Sequence, residues 1–324
     1  EVETPESHFQ FKKNTGPEEG QITISKVDFL DEDYNQEWIW NILEDKGQIE
    51  GKEESKNYEL KIAYNPKEEV SFHKLFSYFR TEVDFPYPVI AHGSFELKSD
   101  RNQLSRDKND FNIQLIEKLA KLLVDCALKL TESDVSSYDA LKLLIPSGFQ
   151  HSSLFDYPWD FNDLIKESIN KAAIFPTLNN TYITLDDEPI FYEVKIDHLI
   201  PEAYYSDFKG FLKSTSDETI INYLWKEQGE LNYYQEEFTE RINKIVDEEG
   251  FSIDQKVEWV SILCEHTKHF YYKENSVLPN LLINTKGEVI KTGKEEMILP
   301  PKGEIYELPK ELELQLLKGS LLKN

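Results

Sequence analysis

The chain has 324 residues, with 61 acidic against 36 basic side chains and a formal net charge of −25. At 39% apolar and 13% aromatic residues its composition is that of a folded protein, not a disordered one, and at roughly 150 residues per domain its length predicts two domains. The acidic balance excludes a broad nucleic-acid-binding face, which needs net positive charge, but leaves room for a small local basic site.

No apolar run approaches the ~18 residues of a membrane span. Cys126 lies in an apolar helical pattern and Cys264 follows Val260-Ser261-Ile262-Leu263. Both read as small buried hydrophobes in a reducing compartment, so a cytoplasmic location is expected. The first residues, Glu1-Val2-Glu3-Thr4-Pro5, are neither a signal peptide nor a natural start, and the single methionine is Met297. A fragment of a longer chain is expected.

Residues 1–20 are polar, with Gly16-Pro17 and Gly20, and predict a loose lead-in. Alternation at Ile22, Ile24, Val27 and Phe29 predicts a strand over 21–29, and the aromatic-rich 36–43 a second. Charged, glycine-bearing 45–57 predicts an exposed loop, and 58–64 alternates again, so the pair reads as a meander. Residues 72–79 are apolar and fit either a strand or a short helix. After Val89-Ile90-Ala91 comes Gly93, and Phe95 and Leu97 then alternate. The clearest helix covers 108–131, with Ile113, Leu115, Ile116, Leu119, Ala120, Leu122, Leu123, Cys126, Ala127 and Leu130 on one face. Asp107 or Asn109 can supply its N-cap oxygen. Polar 131–137 marks a domain boundary.

Beyond it, helices are predicted over 138–145, 161–173, 217–228, 231–248, 254–270 and 309–323. Short strands at 174–178 and 182–185 flank Asn179-Asn180, a hairpin is predicted at 281–290, and 296–308 is extended. Pro176-Thr177-Leu178 and Pro279-Asn280-Leu281 are each followed by Asn-Thr, an echo too short to establish a repeat. The tyrosine pairs Tyr204-Tyr205 and Tyr233-Tyr234 could bind client proteins, but read better as core or half-buried helix positions.

Familiar catalytic signatures are absent: no Gly-x-x-x-x-Gly-Lys, Gly-x-Gly-x-x-Gly, Gly-x-Ser-x-Gly or His-Glu-x-x-His occurs. His266 and His269 share a helix face, but two ligands do not make a zinc site. Asp187 with Glu193-Val194-Lys195 has the spacing of a metal-dependent nuclease core, in which two carboxylates hold a metal and a lysine orients water. Glu-x-Lys recurs six times in the chain, so the match is weak. Arginine usage says more. Lysine outnumbers arginine 32 to 4, and Arg80, Arg101 and Arg106 fall close together. A guanidinium fork grips phosphate or carboxylate in a way lysine cannot, although local surface ion pairs are the plainer explanation.

One stretch carries a family resemblance. It runs through Leu75-Phe76-Ser77-Tyr78-Phe79-Arg80-Thr81, then from Pro88 to Leu97, then Lys98-Ser99-Asp100-Arg101-Asn102-Gln103-Leu104, and reaches Asn112-Ile113-Gln114-Leu115 at the opening of the long helix. This resembles the region after the ATP-binding domain in sacsin and its relatives. It also resembles the start of the middle domain in the ninety-kilodalton heat-shock chaperones, both within the GHKL ATPase superfamily. By position, the resemblance implies that Arg101 reaches the γ-phosphate of ATP. Lys98, Asn102 and Arg106 are second candidates for that contact. The serine that precedes the arginine in the family is displaced here to Ser99, with Asp100 between.

ATP and magnesium would be held by an upstream domain, because the Asp-x-Gly-x-Gly loop of that superfamily is missing from this sequence. The partners implied are that upstream domain, protein clients and, in the full-length protein, a second copy of the chain. The setting would be protein quality control or anti-phage defence. The expected fold is an α/β, chaperone middle-domain-like first domain over 21–135, mostly antiparallel sheet with packed helices. An α+β, helix-rich second domain is expected over 138–324. The alternative is a protein-interaction scaffold without nucleotide function.

Overall fold

The computed structural model describes residues 2–3, 9–28, 35–50, 55–67, 73–100, 102–105, 109–132, 136–147, 161–187, 197–227 and 235–249, with single positions at 189 and within 252–259. The chain divides into two compact units. One comprises residues 1–175 and 182–186, the other 176–181 and 187–324.

The first unit is built on an eight-stranded sheet in the order β1-β2-β3-β4-β5-β8-β6-β7. Its strands are β1 (Val2–Glu3), β2 (Phe9–Thr15), β3 (Gln21–Asp28), β4 (Asn35–Glu50), β5 (Ser55–Tyr64), β6 (Lys74–Ser77), β7 (Phe79–Asp84) and β8 (Ile90–Gly93). Every pairing is antiparallel except β6 with β8, so the sheet is mostly antiparallel.

Two features depart from the sequence reading. Residues 1–20, expected as a loose lead-in, contribute β1 and β2. The charged 45–57 stretch is not a long loop, because β4 runs on to Glu50 and β5 begins at Ser55. Charge is compatible with strand here because the register sets opposite signs face to face, Glu44 across from Lys61 and Lys46 across from Glu59. Lys46 lies 2.7 Å from Glu44 and 2.9 Å from Glu59, and Lys61 lies 2.7 Å from Glu59 and 3.3 Å from Glu44. The four side chains form one ladder on the open face, while Tyr58, Leu60, Ile62 and Tyr64 point into the core from the other. The stretch at 72–79, open between strand and helix, resolves as strand β6 running into β7.

The helix expected over 108–131 is α1 (Asn109–Leu130). It lies on β4 and β5, and α2 (Asp139–Leu144) and α3 (Phe161–Lys171) lie on it. That double coverage explains why its apolar stripe is broad. Phe111 and Val124 are buried beside Leu115, Leu119, Leu123, Cys126 and Ala127. Tyr87 and Phe85 pack their rings on Phe161, and the Tyr87 hydroxyl donates to Asn162 Oδ1 at 2.7 Å. Residues 138–175, read from sequence as the start of the second domain, fall in the first unit.

A two-residue β9 (Phe175–Pro176) pairs with β10 (Tyr182–Ile183), flanking Asn180 at a φ of +59°. In the second unit, α4 (Glu218–Glu227) and α5 (Gln235–Glu249) follow short 3₁₀ turns at Asp197–Leu199 and Glu202–Phe208. Ile220, Leu224, Ile242, Ile245, Phe208 and Phe211 form its interior. Tyr204 and Tyr205 are half-buried. Arg241 lies over the Phe211 ring at 4.8 Å and donates to the Asp207 carbonyl, so the fourth arginine braces an aromatic pair. Tyr233-Tyr234, the second Pro-x-Leu patch, Cys264, and the elements expected at 281–290, 296–308 and 309–323 lie outside the described residues. Among the described residues no helix is long and apolar enough to cross a membrane.

Candidate functional site

The stretch that carries the resemblance folds as strand, hairpin and helix. Strand β8 ends at Gly93, where the backbone must pass close to the core. A Cβ there would lie 2.4 Å from Phe95 Cε2 and 2.7 Å from Leu60 Cδ2. Ser94 then ties back to β5, its N–H donating to the Glu59 carbonyl at 3.0 Å while its hydroxyl accepts from the Glu59 N–H at 3.1 Å. Phe95 is buried, and its carbonyl accepts the Ser77 hydroxyl at 3.0 Å.

From Glu96 the chain doubles back on itself. Leu97 bridges Leu104, the Lys98 N–H donates to the Gln103 carbonyl at 3.0 Å, and the Ser105 N–H donates to the Glu96 carbonyl at 2.7 Å. Inside the tip, the Asn102 N–H donates to Asp100 Oδ1 at 3.1 Å, a side-chain-capped turn of the sort aspartate favours. A buried side chain of α1 fastens the hairpin. Asn112, fully buried, accepts the Glu96 N–H at 3.0 Å and donates from Nδ2 to the carbonyls of Glu96 at 2.9 Å and Ser105 at 3.1 Å. Glu96 is further held by Lys56 Nζ at 2.5 Å.

This arrangement leaves Lys98, Ser99, Asp100 and Asn102 exposed on a hairpin whose base is fixed and whose Leu104 is buried. Lys98 Nζ engages Gln103 Oε1 across the hairpin. Arg101 and Arg106 lie outside the described residues. Of the sequence candidates, Lys98 and Asn102 are thus brought to one exposed tip, and Asp100 spends a carboxylate oxygen on the turn itself. Chemically, the described tip offers an ammonium and a carboxamide to an anionic group. Arg80, the third clustered arginine, is exposed on β7 opposite Phe76.

Next to the hairpin, β6 and β7 are joined through Tyr78, which adopts a φ of +59° and is 77% exposed, beside Phe79 at 67%. A positive φ on an aromatic residue is strained. Beneath it, His92 Nε2 accepts the Tyr78 N–H at 3.2 Å, and burial lowers the pKa of that imidazole.

Of the nuclease triplet, Asp187 ends a 3₁₀ turn at Leu185–Asp187, while Glu193 and Lys195 lie outside the described residues, as do His266 and His269. Among the described residues no group of three or more His, Cys, Asp and Glu could hold a metal. Cys126 is buried in α1, and burial pushes its thiol pKa well up, so it stays protonated and inert. No family model, curated protein or solved structure matches this chain.

Proposed function

We propose that the first unit is the middle, transducer segment of a sacsin-like GHKL ATPase. In this reading it supplies Arg101 to ATP and magnesium held by another domain, and couples hydrolysis to movement or client binding. One observation carries the reading: a strand–hairpin–helix segment whose tip is exposed and whose base is locked to α1 by Asn112. An arginine works as a phosphate finger only if its backbone is held while its side chain reaches outward, and Arg101 is the sequence neighbour of Asp100 and Asn102, both exposed at that tip. Lys98 and Asn102 would add a second cation and an amide donor to the same anion, and Arg106 a further guanidinium. A nucleotide held between domains would make hydrolysis a switch of their arrangement.

The test is Arg101→Ala in the parent polypeptide that contains the ATP-binding domain, read as steady-state ATP turnover. The expected loss is about 10³-fold. Unchanged turnover, or a parent without an Asp-x-Gly-x-Gly domain, refutes the reading. A scaffold role is the second reading, favoured by the exposed, strained Tyr78–Phe79 tip, which has the aromatic character of a protein-binding anchor.

A further inference from the structure

Strand β6 passes into β7 through a single residue, Tyr78, since Ser77 already pairs with Phe79. That residue takes a φ of +59°, in the left-handed region that a side chain disfavours, and leaves its ring 77% exposed. Both flanks of the turn are pinned. The Ser77 hydroxyl donates to the Phe95 carbonyl at 3.0 Å. The Thr81 hydroxyl donates to the Leu75 carbonyl at 2.7 Å and accepts the Val83 N–H at 3.1 Å. Ser77 and Thr81 are buried. Tyr78 itself meets the fold through His92, which accepts its N–H on Nε2 at 3.2 Å and stands edge-on to its ring at 6.0 Å.

The contact belongs to one protonation state of His92. Because Nε2 accepts, the neutral ring carries its proton on Nδ1. Nδ1 is shut off from solvent and has no hydrogen-bond partner among the described residues. A second proton can enter only at Nε2, on the lone pair that holds Tyr78. The imidazolium would set two N–H donors against each other, with no carboxylate on Nδ1 to compensate. His92 either takes up the proton or holds the tip.

The surrounding charges act on the same ring. Lys61 lies opposite His92 on β5, and Glu59 shares that face of the strand. The Lys61 ammonium is itself bonded to Glu59 at 2.7 Å and Glu44 at 3.3 Å. On the other side His92 adjoins the apolar Phe76 of β6, and Arg80 of β7 is the next cation in that row. Burial foremost lowers the pKa of His92, Glu59 raises it and Lys61 lowers it further, so the ring is neutral near neutral pH.

We propose that His92 is a proton-operated latch on the Tyr78–Phe79 tip: the neutral imidazole holds the turn with both aromatic rings outward, and protonation releases it. The latched ring resists its proton, so latching is complete above about 6.5, the value of a free imidazole, and is lost as pH falls below it. An anchor held in one conformation binds more tightly than one that must first be ordered, so release in acid would weaken the contacts the tip makes. The latch is a property of the turn, whichever role the first unit serves.

The test follows the isotope-labelled full chain by NMR from about pH 8 to about pH 5, the range in which a histidine titrates. It reads the His92 imidazole together with the hydrogen-exchange protection of the Tyr78 amide. Protection should fall about tenfold as His92 gains its proton, roughly the loss of one hydrogen bond. Both signals should share one midpoint, below 6.5. His92→Gln offers an oxygen in place of Nε2 and cannot titrate, so its Tyr78 amide should stay protected throughout. His92→Phe has no acceptor and should lose the protection about tenfold at every pH. Lys61→Met should raise the His92 midpoint and Glu59→Gln should lower it. A Tyr78 amide indifferent to the His92 titration, a His92 midpoint at or above 6.5, or the same pH dependence in His92→Gln as in the parent chain would overturn the proposal. The first two outcomes need no variant, so they decide even if a substitution prevents folding.

Discussion

Asn112→Ala removes a carboxamide that joins Glu96 and Ser105 of the hairpin to α1. Three hydrogen bonds are lost, at 2.9, 3.0 and 3.1 Å, all at a fully buried position. The Glu96 carbonyl keeps its bond from the Ser105 N–H, so two backbone groups, the Glu96 N–H and the Ser105 carbonyl, are left without these partners. At about 1 kcal/mol for each of the three buried hydrogen bonds, the first unit should lose roughly 2–4 kcal/mol. For a unit of this size that corresponds to a fall in Tm of roughly 5–15 °C. Urea unfolding followed by circular dichroism measures it directly, as a lower midpoint at an unchanged slope. A loss below about 0.5 kcal/mol would refute the reasoning, because it would mean water or a shifted backbone satisfies both groups at no cost.

Gly93→Ala should destabilise by about 1–3 kcal/mol, because the new methyl would collide with Phe95 and Leu60, neither of which has room to move; a urea midpoint equal to that of the parent chain would contradict this. Lys61, then Lys46, hold the Glu59 carboxyl at about 2, against 4.5 for the free side chain. The folded value is the lower one, so the stabilisation is complete above about 4.5 and drains away as pH falls from there towards 2. Glu44 is lowered in the same sense, by Lys46 first and Lys61 after it. A carboxyl-carbon NMR titration should place the Glu59 midpoint near 2, and a midpoint near 4.5 would show that the ladder does not hold in solution.

Where a pattern was strong and local, the chain could be read directly. The period-two alternation from Tyr58 to Tyr64 is the inward face of β5, and the 3.6-residue pattern from Leu115 to Ala127 is the buried face of α1. In both elements the buried side chains recur at the element's own period, so their order carries the signal. The extension of β4 to Glu50 and the start of β5 at Ser55 were not legible. Glu44, Lys46, Glu59 and Lys61 look like a solvated loop until the register pairs them. The candidate tip was legible in part. Its residue order could be noticed, but that Asn112 reaches back to Glu96 and Ser105 depends on a helix and a hairpin brought together across the fold.

The sequence by itself determined a folded, acidic chain, a long amphipathic helix, alternating strands, and the cluster of arginines that directs attention to residues 98–106. These follow from composition and short-range periodicity, which each segment carries within itself. Only the tertiary structure decided that β6 lies parallel to β8, that α2 and α3 close over α1, and that His92 has Lys61 on one side of it and Tyr78 on the other. The physical reason is separation along the chain. Residues tens of positions apart have no local energy that distinguishes neighbours from strangers until burial of the common core brings them together.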